Sequence, residues 1–409
     1  MNAAGAAPVP ARALRVGIVA GEHSGDTLGA ALMAALRARA PEVEFFGVAG
    51  PKMAAAGCEA WARADELGVM GLAEVLRHLP RLLRLRAVLR ARFLAARPDV
   101  FVGIDAPEFN LRLARSLKAA GIRTVQYVSP QVWAWRQGRV RTIGAAVDLV
   151  LCILPFETEF YTGRQVRAEF VGHPLADQIP LDSDRAAARA VLGLPADAGV
   201  VALLPGSRLA EVRRLAAPFV IAAARIAQLK PGRYRFIAPM ASAASREVFA
   251  REAAQVPGAP EIRMLDGSAQ QALAAADAAI VASGTATLET LLTGRPMVVA
   301  YRFSGLTAFV VRALGLVKVR YFSQPNLLAG KALVPEFLQE QVNGPALADA
   351  LLKQLEEPAK VRELQDEFAS IHRRLRLGGA GRAADAILNL LGRGPGPAAH
   401  DSDARTAGL

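Results

Sequence analysis

The chain has 409 residues, of which 53% are hydrophobic, and a formal net charge of +12. That length exceeds one ordinary core and predicts two domains, while the charge calls for anionic partners: nucleic acid, phosphorylated substrate or anionic membrane. Mean hydropathy is high at +0.25, yet no apolar run reaches the ~18 residues of a spanning helix, and only two distant cysteines, Cys58 and Cys152, exclude a disulfide framework and fit a reducing cytoplasm.

Residues 1 to 12, rich in Ala, Gly and Pro, read as a disordered tail, as do residues 394 to 409. Arg12 and Arg15 then lead straight into a strand (15 to 20), where a secretory signal would need an apolar stretch. Further buried strands are predicted at 43 to 50, 99 to 105, 123 to 130 and 148 to 155. A last short strand is expected just before Gly172. Helices such as Thr27 to Arg39 and Asn110 to Ala120 alternate with them. This rhythm predicts a parallel sheet with right-handed crossovers.

After the first strand comes Gly21-Glu22-His23-Ser24-Gly25-Asp26. The spacing is not GxGxxG, so dinucleotide binding is disfavoured, and no P-loop follows elsewhere. Glu22 and Asp26 would repel a diphosphate. With Ser24 they suit the hydroxyls of an acceptor sugar, although Ser24 or Asp26 could equally cap the helix.

Val75 to Pro98 carries seven arginines, one histidine and no acid. Leu72, Val75, Leu76 and Leu79 recur at helical spacing, and Pro80 is expected to start a second helix bearing Leu82, Leu83, Leu85, Leu89 and Phe93. Such basic amphipathic helices lie in anionic membrane surfaces, with some of the leucines packing on the sheet. Phe93 is the one aromatic there, too few for nucleic-acid stacking.

The strand at 99 to 104 delivers Asp105 at its carboxyl end, where parallel sheets place ligands and where a carboxylate can accept a hydroxyl proton. Glu108 nearby reads as solvated. Trp133 and Trp135 follow the next strand and either stack on sugar or pack a helix. Gly172-His173-Pro174 marks a hinge, with His173 bonded to backbone or orienting a phosphate. A first domain over 13 to 178 and a second over 179 to 360 follow, with helices at 361 to 392 crossing back onto the first. Asp182-Ser183-Asp184 in the linker reads as a helix cap rather than a metal site, and no other cluster has ligand spacing.

The second half repeats the pattern, with strands at 200 to 204, 234 to 238, 261 to 264, 279 to 282 and 297 to 301. The first ends in a phosphate-type turn with Gly206, Ser207 and Arg208. The strand at 279 to 282 runs into Ser283, Gly284, Thr285, Ala286 and Thr287 at a helix start, a second cradle for phosphate. Glu289, one turn further, suits sugar hydroxyls. Two such turns suggest a diphosphate and thus a nucleotide-linked substrate; each could also be an ordinary helix cap. Arg302 to Arg320 is another apolar and basic stretch. Asn326 precedes a helical stretch at 327 to 338 and either caps it or bonds a base or sugar.

Taken together, VAGEHSGDTLGA (19 to 30), VGIDAPEFN (102 to 110), YVSPQVWAWR (127 to 136), VGHPL (171 to 175), LLPGSRLAEV (203 to 212), SGTATLE (283 to 289) and QPNLLAG (324 to 330) closely resemble the lipid-A-disaccharide synthase family of lipopolysaccharide biosynthesis. The resemblance implies an α/β fold of the GT-B type, two Rossmann-like doubly wound parallel-sheet domains facing a cleft. It implies a peripheral enzyme on the cytoplasmic face of the inner membrane, in contact with its anionic surface, that needs no metal or other cofactor. The enzyme would transfer 2,3-diacylglucosamine from UDP-2,3-diacylglucosamine to the 6-hydroxyl of 2,3-diacylglucosamine 1-phosphate (lipid X). A β-1,6 disaccharide 1-phosphate and UDP would result, with inversion.

In that reading Asp105 is the base, and Arg208 with residues 283 to 287 stabilises the leaving UDP. Glu289 then holds the ribose and Asn326 contacts the donor. No nucleic acid is implied, and a homodimer is among the assemblies it allows. The alternatives are a UDP-GlcNAc 2-epimerase or another GT-B transferase, and a non-catalytic basic nucleic-acid-binding protein.

Overall fold

The computed structural model describes residues 12–21, 23–67, 72–130, 139–164, 166–267, 269–303 and 320–394, with backbone alone at 72–78 and at 139. The expected tails up to residue 11 and from 395 onward, and most of the stretch from Arg302 to Arg320, lie outside the described residues. The chain divides into two compact units, residues 1–174 with 377–409, and residues 175–376.

The first unit contains β1 (Arg15–Ala20), α1 (His23–Arg37), β2 (Glu44–Ala49), α2 (Pro51–Ala55), β3 (Cys58–Arg63), α3 (Leu72–Ala96), β4 (Val100–Ile104), α4 (Pro107–Lys118), β5 (Arg123–Tyr127), α5 (Arg139–Ala146), β6 (Leu149–Cys152) and β7 (Arg167–Phe170). Its strands are parallel and ordered β3-β2-β1-β4-β5-β6-β7. β1, β4 and β6 are apolar runs with buried backbones, as expected when helices cover both faces of a sheet. One face packs Leu32, Met33 and Leu36 of α1; the other packs Leu89 and Phe93 of α3 with Leu113 and Leu117 of α4.

The order reverses between β1 and β4, which run in register with Ala20 beside Ile104. Residues 21–26 and 105–110 therefore leave the sheet side by side, at the switch point where doubly wound folds bind ligands. α3 is one helix of 25 residues that runs through Pro80, where the sequence led us to expect a break. Proline forfeits one hydrogen bond, and the full burial of Leu89 and Phe93 further along holds the axis to the sheet. β3, half-exposed with mixed composition, was not among the strands read from sequence.

After α6 (Pro174–Gln178), the second unit contains α7 (Arg185–Val191), β8 (Gly199–Leu204), α8 (Leu209–Leu229), β9 (Tyr234–Met240), α9 (Ala243–Gln255), β10 (Ile262–Asp266), α10 (Ala269–Ala275), β11 (Ala278–Ala282), α11 (Thr285–Leu292), β12 (Met297–Tyr301), α12 (Gln324–Ala329), β13 (Glu336–Leu338), α13 (Gly344–Leu355) and α14 (Pro358–Leu375). The parallel order is β10-β9-β8-β11-β12-β13. β8 and β11 are neighbours with Leu204 beside Val281. That pairing brings the two phosphate-type turns, 205–208 and 283–287, together at a second switch point.

The expected helix at 327 to 338 is instead α12, which ends at Gly330 in a left-handed residue of φ +67°, followed by the edge strand β13. Asp184 caps α7 by accepting from Ala187 N–H at 2.9 Å. α14 belongs to the second unit, where His372 Nε2 bonds the Ala176 carbonyl at 2.9 Å. Among the described helices after α14, α15 (Gly379–Leu390) returns to the first unit, burying Ala383, Ile387 and Leu388 in the cluster that holds Leu32 and Leu36.

Candidate active site

In the first unit, Asp105 sits one residue past β4. Its N–H still donates to the Tyr127 carbonyl at 3.0 Å, extending the β4–β5 ladder. The backbone then turns left-handed, with φ +52° at Asp105 and +40° at Ala106, conformations that cost about 1–3 kcal/mol each for residues other than glycine. Ala106, not Asp105, is the N-cap of α4. The Asp105 carboxyl is half-buried, and loss of hydration raises its pKa, opposed by a hydrogen bond from Ala106 N–H. A carboxylate with a raised proton affinity at a strand end is suited to removing a proton from a hydroxyl.

The other predicted acceptor groups fare differently. Asp26 is buried, and its carboxylate accepts from the N–H groups of Gly50, Lys52 and Met53 at 2.9–3.0 Å. It ties α1 to the start of α2 and has no free face for a sugar, so its acceptor role is corrected to a structural one. Ser24 is exposed on the first turn of α1. Glu22, Trp133 and Trp135 lie outside the described residues. Lys52, whose Nζ donates to Thr27 Oγ1 at 2.9 Å, is a cation at this sheet end that sequence reasoning missed. Burial lowers the pKa of His173 to about 4, which favours the neutral ring near pH 7.

In the second unit, Gly206 has φ +111°, and a Cβ there would lie 2.5 Å from Glu211 Oε2. Both facts demand glycine and bring the turn close over the start of α8. Ser207 and Arg208 are exposed. Arg208 Nη1 pairs with Glu211 Oε1 at 3.1 Å. Glu211 is a second residue that sequence reasoning missed: Arg208 followed three residues later by Glu is the only local signal of it.

At the neighbouring turn Gly284 adopts φ +153°, ψ −158°, a region open to glycine alone. Thr285 and Ala286 follow as the first residues of α11, so their N–H groups have no partner within the helix. Ser283 is half-buried and spends its N–H on the Ala300 carbonyl. Thr287 is fully buried, and both its N–H and its hydroxyl donate to the Gly284 carbonyl, at 3.1 and 2.7 Å. Its hydroxyl is therefore unavailable to phosphate, a correction to the expected cradle. Glu289 lies one turn on, half-buried, its pKa raised by desolvation.

Asn326 is also corrected. It is buried, with Nδ2 donating to the Val334 carbonyl and Glu336 Oε1, both at 2.9 Å, and Oδ1 accepting from Leu333 and Val334 N–H at 2.8 and 2.9 Å. Two donors and two acceptor sites exhaust the amide. It staples the loop between α12 and β13.

On α3, Leu79, Leu83 and Val88 are 39%, 42% and 56% exposed, whereas Leu82 and Leu85 pack toward the core. Leu82 is thus removed from the predicted membrane face. The side chains of Leu72, Val75 and Leu76 lie outside the described residues. Among the described residues no helix is long and apolar enough to cross a membrane, and no three His, Cys, Asp or Glu groups form a metal-sized cluster.

Solved structures share this architecture. A UDP-GlcNAc 2-epimerase from Neisseria meningitidis superposes with TM-score 0.63 at 10% identity, covering 93% of this chain and 100% of its own. The kitacinnamycin glycosyltransferase gives 0.60 at 20% identity (93% and 100%), and the calicheamicin glycosyltransferase CalG4 gives 0.57 at 17% (94% and 99%). These likenesses establish the fold, GT-B.

In sequence, the chain is 52% identical over 381 residues to the lipid-A-disaccharide synthase of Alkalilimnicola ehrlichii, covering 93% of this chain and 99% of the relative. It is likewise 52% identical over 380 residues to that of Pseudomonas aeruginosa, with the same coverage. The family model described as lipid-A-disaccharide synthetase matches residues 16–387. Spanning both sheets and both pairs of strand-end turns, these matches place the chain in the lipid-A-disaccharide synthase family, glycosyltransferases of lipid A biosynthesis.

Proposed function

We propose that the enzyme transfers 2,3-diacylglucosamine from UDP-2,3-diacylglucosamine to the 6-hydroxyl of 2,3-diacylglucosamine 1-phosphate, with inversion, giving the β-1,6 disaccharide 1-phosphate and UDP. The observation that carries the reading is the pairing of β8 with β11. It brings the turn that carries the exposed Arg208 and the turn that opens α11 to the same sheet end, which would supply a cation and a helix start for a leaving diphosphate. Arg208 would exchange Glu211 for phosphate oxygens. Glu289 would accept from ribose hydroxyls.

In the first unit, Asp105 would take the 6-hydroxyl proton as that oxygen attacks the anomeric carbon. One base suffices, because the nucleotide leaves from the opposite face. The positive charge at the diphosphate comes from Arg208 and the helix start, so the reaction proceeds without a metal ion. The exposed apolar and basic face of α3 would rest on anionic lipid at the cytoplasmic face of the inner membrane, where acylated substrates reside.

The test is turnover of UDP-2,3-diacylglucosamine with 2,3-diacylglucosamine 1-phosphate, with and without EDTA, against UDP-GlcNAc as donor. The lipid donor alone should support disaccharide formation, undiminished by chelation. Asp105→Asn should keep donor affinity and lose about 10²- to 10⁴-fold in kcat, the range of a general base. Unchanged turnover in that variant rules out the base.

A further inference from the structure

The turn that presents Asp105 is gripped by two buried side-chain amides. The Asp105 main-chain carbonyl accepts from Asn110 Nδ2 at 2.9 Å and from Gln126 Nε2 at 3.0 Å. Asn110 lies on the first turn of α4 and Gln126 on β5, and both residues are fully buried. Each amide nitrogen also faces two further carbonyls. For Asn110 these are Val19 and Ile104, at 3.4 and 3.2 Å. For Gln126 they are Tyr127 and Val128, both at 3.4 Å. Only a donor fits such a ring of oxygens.

The opposite ends of the two amides show what the arrangement costs. Asn110 Oδ1 and Gln126 Oε1 are buried and have no hydrogen-bond partner among the described residues. Filling the same volume with leucine and methionine would avoid that penalty. Space has also been cleared around the grip. A Cβ on Gly103 would lie 2.8 Å from Asn110 Cβ and 3.2 Å from Gln126 Oε1, and one on Gly21 would lie 2.3 Å from Ala106 Cβ. Two amides thus hold one carbonyl, and two glycines make room for the amides and for the left-handed turn.

We infer that Asn110 and Gln126 are positioning residues for the transfer: by holding the Asp105 carbonyl they fix the left-handed turn from which the carboxylate meets the acceptor hydroxyl. Neither touches substrate. The inference rests on the reading of Asp105 as the base.

Gln126→Met and Asn110→Leu keep volume and remove the donors. Each should lower kcat about 10- to 100-fold, as slight misplacement of a catalytic group does. KM for UDP-2,3-diacylglucosamine should stay within about two-fold, since ground-state binding is untouched. In an Asp105→Asn background the same changes should cost nothing further, because groups acting as a unit are not additive. Gly103→Ala retains both amides but drives a methyl against Asn110 and the Gln126 oxygen, displacing the grip; it should show the same signature, and it carries the test if the amide variants fail to fold.

Full turnover in the folded single variants, or losses that multiply with Asp105→Asn, overturns the positioning role and leaves the base assignment standing. Undiminished turnover of Asp105→Asn alone overturns the base assignment, and this inference with it.

Discussion

Asp105 combines a strained backbone with a desolvated carboxyl, and both should be visible in its response to pH. Its folded pKa is raised by burial, so the acid limb of kcat/KM should fall at a higher pH than an ordinary carboxylate would give. The same shift has a sign for stability. A raised folded pKa means that this group favours the fold below its unfolded pKa, and that the contribution is lost as pH rises through the folded value. Asp105→Asn, which cannot ionise, should therefore gain thermal midpoint over the parent at pH 8 and not at pH 4. Thermal melts at both values check this, and an equal change at both would show that the ionised carboxyl carries no penalty. The position of Asp105 was legible because a buried strand runs straight into it and Pro107 forces a new element. Asp26 and Asn326 were misjudged for the opposite reason. The partners of Asp26 are backbone N–H groups 24 to 27 residues away, and those of Asn326 lie in an irregular loop and at the first residue of β13; neither leaves a local pattern.

Among the elements, α3 shows how local rules yield to packing. Proline at position 80 argues for a break, yet Leu89 and Phe93, both fully buried, hold one continuous axis. Those buried residues also fix which face is left over. Leu79, Leu83 and Val88 remain exposed among Arg81, Arg84 and Arg90, the composition of a helix that rests on anionic lipid. Replacing Leu83 and Val88 together by glutamate should weaken binding to vesicles containing an anionic phospholipid by about ten-fold or more. Each lost contact removes roughly 1–2 kcal/mol of apolar burial, and each new acid repels the surface. The melting temperature should hold, because neither residue is packed. Leu89→Ala should do the reverse, costing about 2–5 kcal/mol of stability with the exposed side chains intact. Sedimentation with vesicles and thermal melts separate the two, and equal vesicle binding by the glutamate variant would remove α3 as the contact. The strands at the sheet edges, β3 and β13, were the least legible, since the exposed Glu59 and the half-buried Glu336 interrupt the apolar run that marks a central strand.

At the scale of the whole molecule, the chain leaves its first unit near residue 174 and returns to it only with α15. That return is structural for the first unit, since Ala383, Ala384, Ile387 and Leu388 are buried in the same cluster as Leu28, Leu32 and Leu36 of α1. Arg39 meets Asp385 there, with Nη2 donating to Oδ2 at 3.0 Å, but both side chains are about a third exposed, so the pair is worth at most about 1 kcal/mol. The apolar face carries the larger share. Ile387→Ala should cost about 2–4 kcal/mol through lost burial and the cavity left behind, and Asp385→Ala less than 1 kcal/mol. The second unit keeps its own core, in which Val201, Phe219, Ile280 and Leu351 are buried without any contribution from α15. Ending the chain after Arg376 should therefore destabilise the first unit and spare the second. In hydrogen exchange, amides of β1 and β4 should lose protection in the shortened chain while those of β8 and β11 keep it, the pattern of a local rather than a global loss. Equal loss in both sheets would mean that the two cores fold as one cooperative body, and unchanged protection in β1 would mean that α15 is dispensable to the sheet that carries Asp105.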